Sequence, residues 1–228
     1  MSSQIKNSEL GYLGNPSVKR DGVESEFSKK EVLEYKKCME SPTYFARTYV
    51  KVISLDEGLV PFDLYPYQEK MFHHFTNNRF SIVLACRQSG KSISSVVYLL
   101  WYAIFHPEKN IAILANKGAT AREMLARITL ALENLPFFLQ PGCKALNKGS
   151  IEFSNNSKII AAATSGNSIR GLSINLLMLD EFAFVENDAQ FYTSTYPVVS
   201  SGKDTQIIIT STANGVGNVY HKLWEGAV

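Results

Sequence analysis

The feature that most constrains this chain is a short apolar run, Ser81-Ile82-Val83-Leu84-Ala85. It passes directly into Cys86-Arg87-Gln88-Ser89-Gly90-Lys91-Ser92 and then into a helical stretch, Ser92 to Phe105, stopped by His106-Pro107. A buried strand, a polar loop closing on Gly-Lys-Ser and a helix form the context in which a phosphate-binding loop works. Gly90 lets the backbone curl so that successive amides face an anion, and the helix start adds its positive dipole end. Lys91 is placed to neutralise β- and γ-phosphate charge, and the Ser92 hydroxyl to bind magnesium. The loop departs from the usual pattern at one position, where Ala85 stands in place of the first glycine.

A second segment complements the first. Leu176-Leu177-Met178-Leu179 is a fully apolar run that ends in Asp180-Glu181. Consecutive acids at the carboxyl end of a buried strand lie where ligands bind in open α/β sheets. Asp180 is expected to hold magnesium through water. Glu181, one residue on, is expected to face the γ-phosphate and orient or deprotonate an attacking water.

The rest of the chain supplies a matching scaffold. Ile111-Ala112-Ile113-Leu114-Ala115 and Gln206 to Thr210 repeat the buried-strand signature. Ala119 to Leu135 carries apolar residues at helical spacing and is closed by Pro136. Ile151 to Phe153 and Lys158 to Ala162, around Ser154-Asn155-Asn156, read as a β-hairpin. Apolar strands alternating with helices predict an α/β fold with a mainly parallel sheet covered on both faces. Upstream, Ser28 is a fitting N-cap for a helix reaching about Met39, and Ser41-Pro42 opens a second, Pro42 to Val52. Asp56 to Leu64 reads as a loop and Tyr67 to Phe75 as a helix. The expected division is a flexible arm over residues 1–27, a helical segment over 28–79, and a P-loop core over 80–228.

Composition narrows the classes little further. The chain has 228 residues, enough for one large α/β domain, and a net charge of +2 that neither supports nor excludes a nucleic-acid partner. Three scattered cysteines suit a reducing compartment and argue against a disulfide framework. The adjacent His73-His74 pair does not have ligand spacing, so no zinc site is expected. The N-terminus is polar with no signal-peptide core, and no apolar run has the length of a membrane span. The chain stops at Val228, just inside a new helical segment over Asn218 to Trp224, which leads us to expect a fragment of a longer protein.

Taken together, these residues resemble the large terminase subunits of tailed bacteriophages. Arg87-Gln88-Ser89-Gly90-Lys91-Ser92, with arginine just inside the loop, is similar to that family's deviant phosphate loop. Tyr67-Gln68 resembles its adenine-recognition motif, and Ser41-Pro42-Thr43-Tyr44-Phe45 its N-terminal helix. Ala115-Asn116-Lys117, with the helix and Leu135-Pro136 that follow, is similar to its second strand–helix unit. Asn167-Ser168-Ile169-Arg170-Gly171 precedes the acidic strand as in the family. Thr210-Ser211-Thr212-Ala213-Asn214-Gly215 looks like the coupling motif, with Ala213 where proline is usual. The likeness covers residues 41–228.

The resemblance implies an ATP-hydrolysing domain of the RecA type that uses ATP and Mg2+ to move double-stranded DNA into a procapsid. It implies a homo-oligomeric ring on the portal protein, monomeric when isolated, working with a small terminase subunit in the host cytoplasm and with no membrane. It also implies that a lid subdomain and a C-terminal nuclease lie outside this chain. By resemblance Gln68 would present its amide to the adenine edge with Tyr67 packed beside the ring, and Gln88 and Ser89 would belong to the phosphate cradle. Arg87 would reach the γ-phosphate in cis, while Arg170 would enter a neighbouring subunit's site as an arginine finger. Thr212 and Asn214, after the last strand, would bond a water or Glu181 and report on the γ-phosphate. Competing readings are a helicase-like translocase, which should bring a second RecA-like domain, and a P-loop kinase, which usually lacks a glutamate directly after the magnesium aspartate.

Overall fold

The computed structural model describes residues 11–54, 56–164, 169, 171–200 and 202–227. A hairpin of β1 (Gly11–Tyr12) and β2 (Asn15–Lys19) precedes helices α1 (Lys29–Glu40) and α2 (Pro42–Tyr49). A second hairpin, β3 (Lys51–Ser54) with β4 (Gly58–Pro61), leads into α3 (Pro66–Asn77). Strand and helix then alternate as β5 (Phe80–Leu84), α4 (Lys91–Phe105), β6 (Asn110–Ala115) and α5 (Gly118–Glu133). Three strands follow, β7 (Cys143–Leu146), β8 (Ser150–Phe153) and β9 (Lys158–Ala163). The last part holds β10 (Leu176–Asp180), a 3-10 turn over Phe182–Phe184, α6 (Asp188–Ser200), β11 (Gln206–Ser211) and α7 (Val219–Glu225).

Seven strands form one sheet in the order β5-β11-β10-β6-β9-β8-β7. The first five run parallel, and β8 and β7 are added antiparallel at the far edge. β11 lies between the strand that feeds the phosphate loop and the strand that ends in Asp180. That order brings the ends of β5, β11 and β10 side by side.

Period-2 alternation divides the core between the two faces of this sheet. Ile111, Ile113, Leu176, Met178 and Ile208 point to one face, where they meet Phe45, Phe72 and the side chains of α4 and α5. Ala112, Leu114, Leu177, Leu179, Ile207 and Ile209 point to the other, under Phe182, Phe191 and Tyr220. Both faces being covered explains why these strands read as unbroken apolar runs rather than as alternating ones. Each buried Leu or Ile side chain contributes about 1.5–3 kcal/mol.

The helix starts follow their sequence signals. The Ser28 hydroxyl accepts from the Glu31 amide at 3.3 Å while the Glu31 carboxylate accepts from the Ser28 amide at 2.8 Å, a closed capping box on α1. At α2 the Ser41 hydroxyl accepts from the Tyr44 amide at 3.1 Å, with Pro42 in the first turn. Among the described residues no helix is long and apolar enough to cross a membrane.

Two stretches differ from the sequence expectation. The helix expected to reach Val52 ends at Tyr49, and the expected loop over Asp56 to Leu64 contains β4, which pairs antiparallel with β3. Val50, Val52 and Ile53 are β-branched, and Gly58 takes the positive φ of 74° at the turn. The arm expected to be loose is held over residues 11–19. Gln140 accepts from the Lys19 amide and donates to the carbonyls of Ser17, Leu132 and Leu135. Asn15 donates to Glu133 at 2.9 Å, and Val18 is buried. These partners lie more than a hundred positions away in sequence, beyond the reach of any local pattern.

Candidate active site

The loop between β5 and α4 closes around Gly90, which sits at φ 83° as the N-cap of α4. A side chain here would be strained by the positive φ, and its Cβ, 2.7 Å from Nε2 of Gln68, would push that amide away from the loop. Gln88 also takes a positive φ, 59°, and the Ser89 hydroxyl donates to the Cys86 carbonyl at 2.9 Å. Ala85, in the position of the missing glycine, donates its amide to the Ser211 carbonyl at 3.2 Å and so anchors the loop to β11. Cys86 and Arg87 are exposed on the loop.

Lys91 is buried, and its Nζ lies 2.8 Å from Oε1 of Glu181. Beside this pair, the Ser92 hydroxyl lies 3.4 Å from both carboxylate oxygens of Asp180. Oδ1 of Asp180 also accepts the Thr210 hydroxyl at 2.7 Å. Burial raises the Asp180 carboxyl above its ordinary value, against the lowering effect of the Thr210 hydrogen bond. Burial also acts to raise Glu181, but the Lys91 ammonium and the Thr212 amide and hydroxyl outweigh it and hold that carboxyl below its ordinary value.

Glu181 itself sits in the left-handed region, with φ 50°. For a non-glycine residue this conformation is uncommon and marks a position that its surroundings hold. The restraints are visible. Oε2 of Glu181 accepts the Thr212 amide at 3.2 Å and the Thr212 hydroxyl at 3.1 Å. The Ser211 hydroxyl accepts from the Ala183 amide at 3.1 Å, and Asn214 donates to the Ala183 carbonyl at 2.9 Å. The end of β11 therefore grips both the glutamate and the 3-10 turn that follows it.

A cleft of about 1040 Å3 opens at this point. Arg87, Gln88, Gly90, Lys91, Ser92 and Glu181 line one side, Asn116, Lys117 and Arg127 another, and Val52 and Ile53 of β3 the outer wall. Its size and its basic lining suit a phosphate-bearing ligand of nucleotide dimensions. The Ser92 hydroxyl and the Asp180 carboxylate form a hard, all-oxygen pair, the donor chemistry that Mg2+ takes.

Most sequence-derived candidates converge here, with qualifications. Lys91, Ser92, Asp180, Glu181 and Thr212 are in direct contact, and Arg87 and Gln88 line the cleft. Gln68 is 2% exposed, accepts from the Tyr65 amide at 2.8 Å and donates to the Gly90 carbonyl at 3.4 Å. It braces the phosphate loop. Tyr67 stacks on Tyr65 with centroids 5.9 Å apart, both rings partly exposed. Asn214 contacts the turn after Glu181 through the Ala183 carbonyl. Arg170 lies outside the described residues. Thr210 and Ser211 were not singled out as site residues, although their place just before Thr212 at the end of a strand was the available signal.

A P-loop protein of the RecA type is what this strand order and this loop define. Residues 82–228 match the family described as terminase large subunit, T4likevirus-type, N-terminal, and the chain belongs to that family. The fold is similar to the large terminase of bacteriophage HK97 at a TM-score of 0.69 and 17% identity, covering 83% of this chain and 40% of that one. It is also similar to the large terminase ATPase domain of Thermus phage P74-26, at a TM-score of 0.58 and 20% identity, covering 68% of this chain and 67% of that one. A third likeness is to the large terminase of a thermophilic bacteriophage in complex with ADP, with a TM-score of 0.52 and 14% identity, over 65% of this chain and 39% of that one. The match thus covers 40% of the HK97 protein's length.

Proposed function

We propose that this chain is the ATPase part of a viral DNA-packaging motor, hydrolysing ATP to drive double-stranded DNA into a procapsid. The observation that carries the reading is the 2.8 Å contact between Lys91 and Glu181 beside the Ser92–Asp180 oxygen pair. A cation, a general base and a hard-metal notch within one small volume are the parts that phosphoryl transfer to water needs.

Each part has a definite task. Phosphate oxygens entering the loop compete with Glu181 for the Lys91 ammonium, so nucleotide binding transfers the lysine from carboxylate to phosphate. Glu181, still held by the Thr212 amide and hydroxyl, then has Oε1 free to accept a proton from water. That water's oxygen attacks the γ-phosphorus while the bond to the ADP oxygen breaks, giving ADP and inorganic phosphate. With Lys91 withdrawn to the phosphate, the Thr212 amide and hydroxyl still favour the carboxylate of Glu181, which stays in the base form at neutral pH. Ser92 and Asp180 are the residues that would hold Mg2+, which when bound supplies charge neutralisation to the β- and γ-phosphates.

The same grip offers a route from chemistry to movement. Thr212 senses whether Glu181 is paired with Lys91, and Asn214 passes the change to the turn at Ala183 and to α7, whose N-cap Asn218 donates to the Asn214 carbonyl at 3.0 Å. Arg170 is proposed as the arginine that reaches a neighbouring subunit's site, with Arg87 serving in cis. Portal protein, a small terminase subunit and a ring of identical chains are the proposed partners, at work in the host cytoplasm.

The test is phosphate release from ATP by the wild type and by Lys91→Ala, followed by packaging in the complete motor. Losing the cation is expected to lower turnover by about 10²–10³-fold. Equal rates would remove the loop from the chemistry, and ATP turnover without DNA uptake by the full motor would remove the packaging role.

A further inference from the structure

The cleft above the phosphate loop is larger than its anion-binding end requires. Lys91, Ser92 and Glu181 occupy one end, and the cavity of about 1040 Å3 continues along α5. There Val52 and Ile53 of β3 face Ala126 and Leu130 of α5 across an aliphatic lobe. From Lys117, the N-cap of α5, to Ala126 is about 14 Å along the helix. That is the scale of a nucleoside triphosphate from its last phosphate to its base. Ile53 is left 59% exposed on this wall, an apolar surface with room for a flat ring.

The side chains that could read a base elsewhere are committed. Gln68 is buried, bonds Tyr65 and Gly90 through its amide, and does not line the cleft. Tyr67 lies outside the lining too, stacked on Tyr65. In the aliphatic lobe the charged groups sit at the rim. Lys51 is exposed, and the Arg127 guanidinium is paired with Glu123 at 3.4 Å. Among the described residues no buried side-chain donor or acceptor lines this lobe.

We propose that the nucleobase seats between β3 and α5, packed on Val52, Ile53, Ala126 and Leu130. It is held by shape and apolar contact instead of a hydrogen-bond code. This placement rests on the ATPase reading, which puts the phosphates at Lys91. Its consequence is weak base selectivity. Aliphatic walls accept any purine, whereas a site built to hydrogen-bond one base rejects its analogues by orders of magnitude.

Calorimetric titration of ADP, GDP and inorganic pyrophosphate, each with Mg2+, into the full chain separates the base from the phosphates. ADP and GDP should bind within about tenfold of each other, and both more tightly than pyrophosphate. Ala126→Phe adds a ring at an exposed helix position and fills the lobe. It should weaken ADP and GDP by about tenfold or more while pyrophosphate binds as before. Ile53→Ser, at an exposed strand position, should weaken both nucleotides in the same pattern and to a smaller extent.

A preference for ADP over GDP beyond about a hundredfold would overturn the proposal, since a fixed hydrogen-bond partner would then read the base. So would ADP affinity that survives both variants and is lost in Tyr67→Ala, which would seat the base on the Tyr65–Tyr67 stack. Equal losses of ADP and pyrophosphate in Ala126→Phe would also overturn it, because the change would then act through the loop. Failure of the ATPase reading looks different: neither pyrophosphate nor ADP would bind the wild type, and the proposal would fall with it.

Discussion

Two buried lysines mark the two ends of α4, and they differ in one respect. Lys91 begins the helix and is paired with Glu181 at 2.8 Å, whereas Lys19 lies near the helix's other end with no partner among the described residues. About 22 Å of helix separates the ends, at 1.5 Å per residue over fifteen residues. The paired lysine holds its charge in a contact that phosphate can replace, so the site is stable when empty and still open to ligand. Burial alone does not make a functional lysine; what the ammonium faces decides what the site can do.

The largest expected effect bears on the Lys91 end. Chelation of divalent cations should lower ATP turnover by at least about a hundredfold, and added Mg2+ should restore it. The melting temperature of the nucleotide-free chain should not move, because Ser92 and Asp180 keep their contacts. Turnover persisting in chelator would break the assignment of that oxygen pair.

Next comes the beam between the ends. Phe72 is fully buried and packs against Tyr98 of α4 with centroids 6.0 Å apart. Phe72→Ala should destabilise the chain by about 3–5 kcal/mol in denaturant unfolding. A cost below 1 kcal/mol would mean that α4 is not held by this face and would weaken any coupling between its ends.

The smallest effect sharpens the contrast directly. Lys19→Met keeps the aliphatic stem and removes a charge that partial burial disfavours and that has no partner among the described residues, so it should raise the melting temperature by about 2–4 °C, the scale of 1 kcal/mol at this chain length. A fall in melting temperature would show that the ammonium is satisfied after all.

The two ends also differ in how far sequence alone could reveal them. Around Lys91 the signal is contiguous: strand, loop and helix occupy one stretch, and the same physics of short-range packing places Asp180 and Glu181 at a strand end. The strand order then sets Thr212 against Glu181, as the position after the last parallel strand anticipated. The surroundings of Lys19 are assembled from β2, α1, the end of α4 and the segment near Gln140, which are scattered along the chain. Nothing local marks Lys19 as buried. Gln68 shows the intermediate case, since its position near the loop was legible but its bonds to Tyr65 and Gly90 were not. For Thr210 and Ser211 the place at a strand end is legible, but their partners, Asp180 on the neighbouring strand and the Ala183 amide on the turn, are not.

The central claim is that Glu181 is the base and that Lys91 releases it when phosphate binds. ATP affinity and phosphate release measured together on Glu181→Gln test both halves. Turnover should fall by about 10²–10⁴-fold, while ATP binds at least as tightly as to the wild type because Lys91 no longer has a carboxylate to leave. Unchanged turnover, or ATP affinity lost along with it, would contradict the account.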